Sequence, residues 1–598
     1  MAARTSSAEQ SAPAEYSSAI AGLRNGLDHW KAQLAQMDWV PWAILGLAAF
    51  LRFLLLGMKP PHFDEGINGW FVDQVVHNGF YRYDPTNYHG PLHFYVLLLF
   101  ECLFGRNLWA LRLPVVLVSM VCVWLVLKFE PLVGRNVSRI AALAMAISPA
   151  FVFYGRYAIH EVWLQLFSTM FILGLLGLWK LGRLNYLWYA GMGLAGMILT
   201  KETYAIHLAC AILAIPTLAV SIVLSKVHQY LKNDLKMIQG IGDGKRGKRQ
   251  AVKPPKRRWT YMIRTLMREA VNDLKPAKQA WTYIDFAMVI IVGAATIIFF
   301  YSGTFFNWNG VKGLYLAFKA WTETGAAGHG HEKAWDYWLK LMGPLPDVGG
   351  NDSPIQRLRH GRADAFGYEL PMLAGLILCL FCQKFKNLSL RYLAIYGAGS
   401  LVAYSYVKYK TPWCIVSFGW PFLFIFGGLI LLVRPKHLRI AYRAVAVLLC
   451  LSLGSSIWLN YFRCSSPDEP YAYVQTYNDI FKLSRPLLKL ARRDPVYYHL
   501  IGHLIRSSVY PLPWVLGDFD RVGYYEGGNM PGNLDGDFLL VQQDKIQDVE
   551  SKLKGSYYTD TLTLRNYQDP SKLYLSAKVF KEFFPNKAPD FVGKTPGG

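Results

Sequence analysis

Eleven long apolar runs, separated by polar turns, constrain this chain more than any other feature. They lie near residues 39–57, 108–128, 138–155, 162–180, 186–200, 203–224, 284–302, 369–383, 392–407, 413–433 and 438–459. A bilayer span needs about 20 predominantly apolar residues, and in lipid each backbone polar group must be satisfied inside its own helix. The pattern therefore predicts a polytopic α-helical membrane protein. Composition agrees: of 598 residues, 53% are apolar and 15% aromatic. A twelfth run, Pro91 to Phe104, has only fourteen residues and carries His93 and Glu101, so it reads as interfacial.

The formal charge of +23 suggests nucleic acid until it is located. Lys226 to Ala280 holds fifteen Lys/Arg against four acids, between two apolar runs. That placement predicts a cytoplasmic loop touching anionic lipid, and no nucleic-acid partner. The run Gly240 to Lys248 lacks the spacing of a phosphate-binding loop. Excluding 91–104 as a span also gathers Lys128/Arg135/Arg139, Lys180/Arg183, Lys384/Lys386/Arg391 and Arg434/Lys436/Arg439 on the same side as that insert. The expected layout is then a cytoplasmic tail at 1–38, a membrane domain at 39–460 and an extracytoplasmic α/β domain at 461–598. Within the membrane domain it places an outer loop with interfacial helices at 58–107, a basic cytoplasmic insert at 226–283 and an outer loop at 303–368. The protein is expected in the inner (plasma) membrane, crossing it many times.

This topology sends acids and bases distant in sequence to one face. Directly after the first run, Pro60-Pro61 stops the helix, and Asp64-Glu65 follows. Ionisable groups beside a bilayer point to function unless they serve as caps. Asp64 can act as a general base toward a hydroxyl; Asp64, Glu65 and His89 could instead hold a divalent ion. The amphipathic stretch after Glu65, with Trp70 and Phe71, predicts a helix lying along the interface.

Further along, Ser148-Pro149 bends a helix that ends in Gly155-Arg156, followed by His160 and Glu161. Arg156 either pairs with Glu161 or holds a phosphate. A tight turn carries Lys201-Glu202. Lys408-Tyr409-Lys410 precedes Trp413 and breaks the positive-inside pattern, which suits either snorkelling or an anionic lipid partner. His329-Gly-His331-Glu332 has metal-ligand types but no second ligand cluster. Cys379-Leu-Phe-Cys382 sits inside an apolar run and reads as packing.

In their order these motifs resemble the GT-C glycosyltransferases, and within them the protein O-mannosyltransferase and aminoarabinose-transferase-like branch. The bacterial and archaeal group labelled flippase activity-associated is the nearest in pattern. The motifs are Asp64-Glu65, Tyr83-Asp-Pro with His89-Gly-Pro-Leu, Phe104-Gly-Arg-Asn-Leu-Trp-Ala-Leu-Arg112-Leu-Pro, Ser148-Pro with Gly155-Arg156, Leu199-Thr-Lys201-Glu202, Tyr409-Lys410-Thr-Pro-Trp413 and Tyr471-Ala-Tyr-Val-Gln-Thr476. The resemblance implies transfer of a sugar from a polyprenyl-phosphate donor to an acceptor hydroxyl on protein, lipid or glycan, on the extracytoplasmic face and with inversion. It implies Asp64 as base, with Glu65 supporting it or helping to bind a metal. Arg156, Lys201, Lys408 and Lys410 would neutralise the leaving phosphate, and His89, Glu161, Glu202 and Trp413 would support the site or the acceptor. Glu65, His89 and Glu161 are the candidate ligands should a divalent ion be used. Relatives often carry Asp where Glu161 stands. A lipid-sugar flippase and a non-catalytic assembly protein of an envelope-glycan pathway are the competing classes.

Overall fold

The computed structural model describes residues 38–87, 89–242, 256–328, 330–345, 353–526, 529–566 and 568–593. The expected tail at 1–38 falls outside them but for its last residue. So do Tyr88, His329, the middle of the basic insert and most of the run Gly240 to Lys248.

Every one of the eleven apolar runs is helical. Among the described residues, six helical stretches are long and apolar enough to cross a membrane: Leu108–Val133, Glu161–Leu181, Tyr204–Lys232, Tyr283–Tyr301, Pro412–Leu432 and Pro435–Phe462. Some of the other runs are shorter or interrupted. Leu370–Cys379 has ten residues, about 15 Å at 1.5 Å per residue, half of a hydrocarbon core near 30 Å. The run 138–155 is two pieces, Arg135–Ile147 and Pro149–Tyr154. Leu92–Phe104, with 13 residues, is too short to cross, as its sequence suggested.

The break at Ser148 shows how the bundle tolerates its own interruptions. Pro149 has no N–H to offer the Met145 carbonyl, and the Ala150 N–H donates instead to Glu369 (2.7 Å). Arg52, wholly buried, donates to the abandoned carbonyls of Met145 (3.3 Å) and Ala146 (2.9 Å), and to Phe151 (3.3 Å). Orphaned helix-end carbonyls thus explain a buried arginine without any ligand. Elsewhere small residues bring helices together. A side chain at Gly174 would fall 2.3 Å from the Ala190 backbone nitrogen, so Glu161–Leu181 and Leu184–Ile198 touch through glycine.

The bundle has two chemically distinct ends. The helix Tyr204–Lys232 links them over roughly 43 Å. At its far end Lys226 pairs with Glu269 (3.1 Å) and Asp273 (2.9 Å) of the helix Lys256–Asp273. At its near end it emerges from the Lys201-Glu202 turn.

Past Phe462 the chain forms a separate α/β unit with a six-stranded mixed sheet. Its strands are β1 (Gly502–Ile505), β2 (Val522–Tyr525), β3 (Phe538–Gln542), β4 (Ser556–Leu562), β5 (Ser571–Ser576) and β6 (Phe591–Val592), in the order β2-β1-β3-β5-β4-β6. β1 pairs in parallel with β2 and β3, and the remaining pairs are antiparallel. All four residues of β1 are buried, as expected of a strand covered on both faces. The helix Ile480–Arg493 lays Leu483, Leu487 and Leu490 on one face.

Phe63–Asn78 is a helix, as expected, and much of its surface is covered by protein. Its buried residues include Glu65, Gly66, Asn68 and Gly69, and it is clamped between the membrane domain and the α/β unit. A side chain at Gly69 would lie 2.2 Å from the Trp514 ring. Arg106 completes the clamp through Asp73 (2.8 Å) and the Trp514 carbonyl (2.6 Å).

Candidate active site

The helix carrying the two carboxylates starts on a capping box. His62 Nδ1 accepts from the Asp64 N–H (3.1 Å), and Glu65 accepts from the His62 N–H (2.9 Å). Adjacent positions on a helix point about 100° apart, so the two acids separate. Glu65 turns inward. Arg112 grips it with two bonds of 2.7 Å, the Ala158 N–H adds a fourth contact at 3.0 Å, and no part of its side chain is exposed. Burial pushes the Glu65 carboxyl up, but Arg112 and these hydrogen bonds outweigh it and hold it below the ordinary carboxylate range. Its expected role as catalytic helper or metal ligand therefore does not fit: every oxygen is engaged and the group does not reach the cavity.

Asp64 turns the other way. Its side chain is 32% exposed and lines a cavity of about 260 Å³ between the membrane helices. Six segments distant in sequence supply the walls: 63–68, 87 with 89, 159–161, 201–206, 321–324 with 331, and 404–414. Val474 closes it from the α/β side. The loops over the opening are joined by backbone bonds, Lys410 N–H to His331 O (3.1 Å) and Lys333 N–H to Lys408 O (3.3 Å).

Within the cavity the polar groups are arranged in pairs. Lys201 donates to Glu161; burial lowers the lysine's proton affinity, but the Glu161 carboxylate more than restores it, and the ammonium stays charged. His89 Nδ1 lies 3.3 Å from Glu202. His160 lies between His89 and His93, with ring centroids 4.6 and 4.4 Å apart and the planes tilted by 39° and 59°. Burial, and then the neighbouring His93, His89 and Lys201, push His160 well below the ordinary histidine value, so it is neutral. Trp413 lines the same space and meets His62 edge-on at 5.8 Å.

Three of the four expected phosphate ligands are elsewhere. Arg156 is buried and caps the first helix, donating to Leu54 O (2.7 Å) and Leu55 O (2.9 Å), with Tyr461 against its face. Lys410 is buried too, its ammonium spent on the carbonyls of Val407 and Lys333. Lys408 is exposed outside the cavity. Lys201 alone of the four lines it. The candidate metal ligands also fail to converge: Glu65 is held by Arg112, Glu161 by Lys201 and His89 by Glu202. Among the described residues no group of three or more His, Cys, Asp or Glu is arranged to hold an ion.

Two arginines not singled out in the sequence touch the start of the carboxylate-bearing helix, though neither lies on the cavity lining. Arg112 sets the position of Glu65. Arg565, from the loop after β4, rests on the Phe63 ring at 4.1 Å; burial lowers its pKa to about 10, partly offset by the charge of Asp64. Arg112 stood inside a quoted motif; nothing in the sequence marks Arg565.

Residues 88–236 match the sequence profile of the family described as dolichyl-phosphate-mannose-protein mannosyltransferase. That stretch contains His89, Arg112, Glu161, Lys201 and Glu202 and excludes Asp64. No curated protein matches the chain by sequence. Among solved structures, ArnT from Cupriavidus metallidurans bound to undecaprenyl phosphate is similar with a TM-score of 0.48 and 12% identity, covering 90% of this chain and 98% of that one. The oligosaccharyltransferase of Archaeoglobus fulgidus in complex with Zn and sulfate is similar with a TM-score of 0.43 and 12% identity, covering 88% of this chain and 73% of that one.

Proposed function

We infer that this chain, a GT-C superfamily member by its match over residues 88–236, is a membrane glycosyltransferase that uses a lipid-linked sugar donor. The finer reading is inverting transfer from a polyprenyl-phosphate sugar to an acceptor hydroxyl. Asp64 takes the hydroxyl proton, and the acceptor oxygen forms a bond to the anomeric carbon. The bond from that carbon to the lipid phosphate breaks on the opposite face, and the phosphate leaves with the electron pair. One observation carries this reading: Asp64 is the acid of its adjacent pair that faces the cavity, while Glu65 is sealed against Arg112.

The phosphate develops negative charge as it leaves, and fixed positive groups near it lower the barrier. Arg565, which lies over the Phe63 ring and feels the charge of Asp64, fits that role; Lys201 is engaged by Glu161. The cavity end faces the extracytoplasmic side in this reading, because the Lys226 end carries the basic insert. Mass spectrometry of envelope glycans and glycoproteins with and without the gene tests it: loss of one sugar from a defined acceptor supports it, and unchanged glycans with altered transport of the lipid-linked sugar contradict it.

A further inference from the structure

Among the described residues, four buried polar atoms of the cavity lining have no hydrogen-bond partner: Asn87 Nδ2, Thr203 Oγ1, His160 Nε2 and Glu202 Oε1; the last two belong to ionisable groups. Glu202 is 5% exposed; His89 takes one of its carboxylate oxygens, and Oε1 is left without a partner. His160 is 3% exposed and its Nε2 is likewise unpartnered. Both residues line the cavity that holds Asp64. His89 couples them, bonded to Glu202 and in tilted ring contact with His160, so neither can turn away without breaking a contact. Leaving such buried atoms unsatisfied is costly, an arrangement that favours a ligand able to complete them.

The charges restrict what that ligand is. Asp64, Glu161 and Glu202 face the cavity with Lys201, which is already paired to Glu161. A phosphate or carboxylate at this floor would meet unneutralised carboxylates. A hydroxyl suits it: its O–H donates to Glu202 Oε1, and a neighbouring hydroxyl pairs with His160 Nε2 in whichever tautomer the ring adopts. Trp321 and Trp413, on the same lining, offer apolar faces.

We propose that Glu202 and His160 form a subsite for the hydroxyls of an uncharged sugar ring, set apart from the place where the lipid phosphate is held. The proposal rests on the transferase reading above and names the sugar class that its site accepts. Such a site reads hydroxyls by leaving its own buried groups unpaired when they are missing.

The full chain in lipid nanodiscs is titrated with undecaprenyl phosphate and with its mannose, glucose and glucuronic acid conjugates. The wild type should bind the two neutral conjugates at least tenfold more tightly than the bare lipid, and the glucuronic acid conjugate no more tightly than the bare lipid. In Glu202→Gln and in His160→Asn the gain from the neutral sugar should disappear while affinity for the bare lipid is kept, which also shows that the variants fold. If the neutral conjugates gain nothing but methyl mannoside binds in a Glu202-dependent way, the subsite stands and belongs to a glycan acceptor. A gain that survives Glu202→Gln, or equal gain from glucuronic acid, overturns the subsite. Failure of bare undecaprenyl phosphate to bind, with methyl mannoside still bound through Glu202, counts against the lipid-donor reading instead.

Discussion

Two of the buried ion pairs, joining residues 47 and 40 positions apart, do opposite things. Arg112–Glu65 is sealed, with no exposed side-chain surface on either partner. Its remaining donors go to the carbonyls of Leu56, Lys59 and Pro60, where the first helix ends. Lys201–Glu161 is nearly as buried, yet both residues open onto the cavity that contains Asp64. Burial of charge therefore does not mark the site here. What distinguishes the pairs is whether a ligand can reach them.

That contrast can be broken at several points. The largest effect is expected at Arg112. Arg112→Met leaves Glu65 charged and enclosed, and should destabilise the fold by about 3–5 kcal/mol, read as a drop in the midpoint of thermal unfolding in detergent. Lys201→Met should do less to the fold, about 1–3 kcal/mol because Glu161 has access to the cavity, while lowering sugar transfer more than tenfold. Equal stability losses in the two variants would erase the distinction.

A smaller effect concerns the clamp between the membrane domain and the α/β unit. Glu101 accepts a hydrogen bond from the Trp514 indole (3.1 Å), and burial, opposed by Arg106, raises its carboxyl to about 7. A raised acid holds its proton more tightly in the folded protein. Its contribution is full below the unfolded value, about 4.3, and is lost as pH climbs toward 7. The unfolding midpoint should thus fall between pH 5 and 7.5, and Glu101→Gln should flatten that slope. The smallest effect is expected at Lys408: Lys408→Ala, on an exposed side chain, should change stability by less than about 0.5 kcal/mol and leave transfer unaltered.

Much of the architecture was legible because hydropathy is a local property. Each apolar run became a helix, and the change of composition after the last one coincided with the sheet domain. Span lengths were less legible, since Pro149 and the short Leu370–Cys379 helix depend on how neighbours satisfy interrupted backbone. The site divided along the same line. Pro60-Pro61 and the capping box are local and place Asp64 and Glu65 at a helix start. Which acid turns outward depends on Arg112, 47 positions further on. Likewise, Arg156 and Lys410 had the chemistry to hold a phosphate, but both donate to carbonyls at helix or loop ends and neither lines the cavity. Arg565 reaches Phe63 only because the α/β unit docks against the helix Phe63–Asn78, and no motif announces that contact.

The most direct measurement compares Asp64→Asn with wild type in transfer from a labelled polyprenyl-phosphate sugar, alongside the unfolding midpoint of each. The account predicts at least a hundredfold loss of transfer with an unchanged midpoint. Transfer at the wild-type rate by a folded Asp64→Asn protein would contradict it.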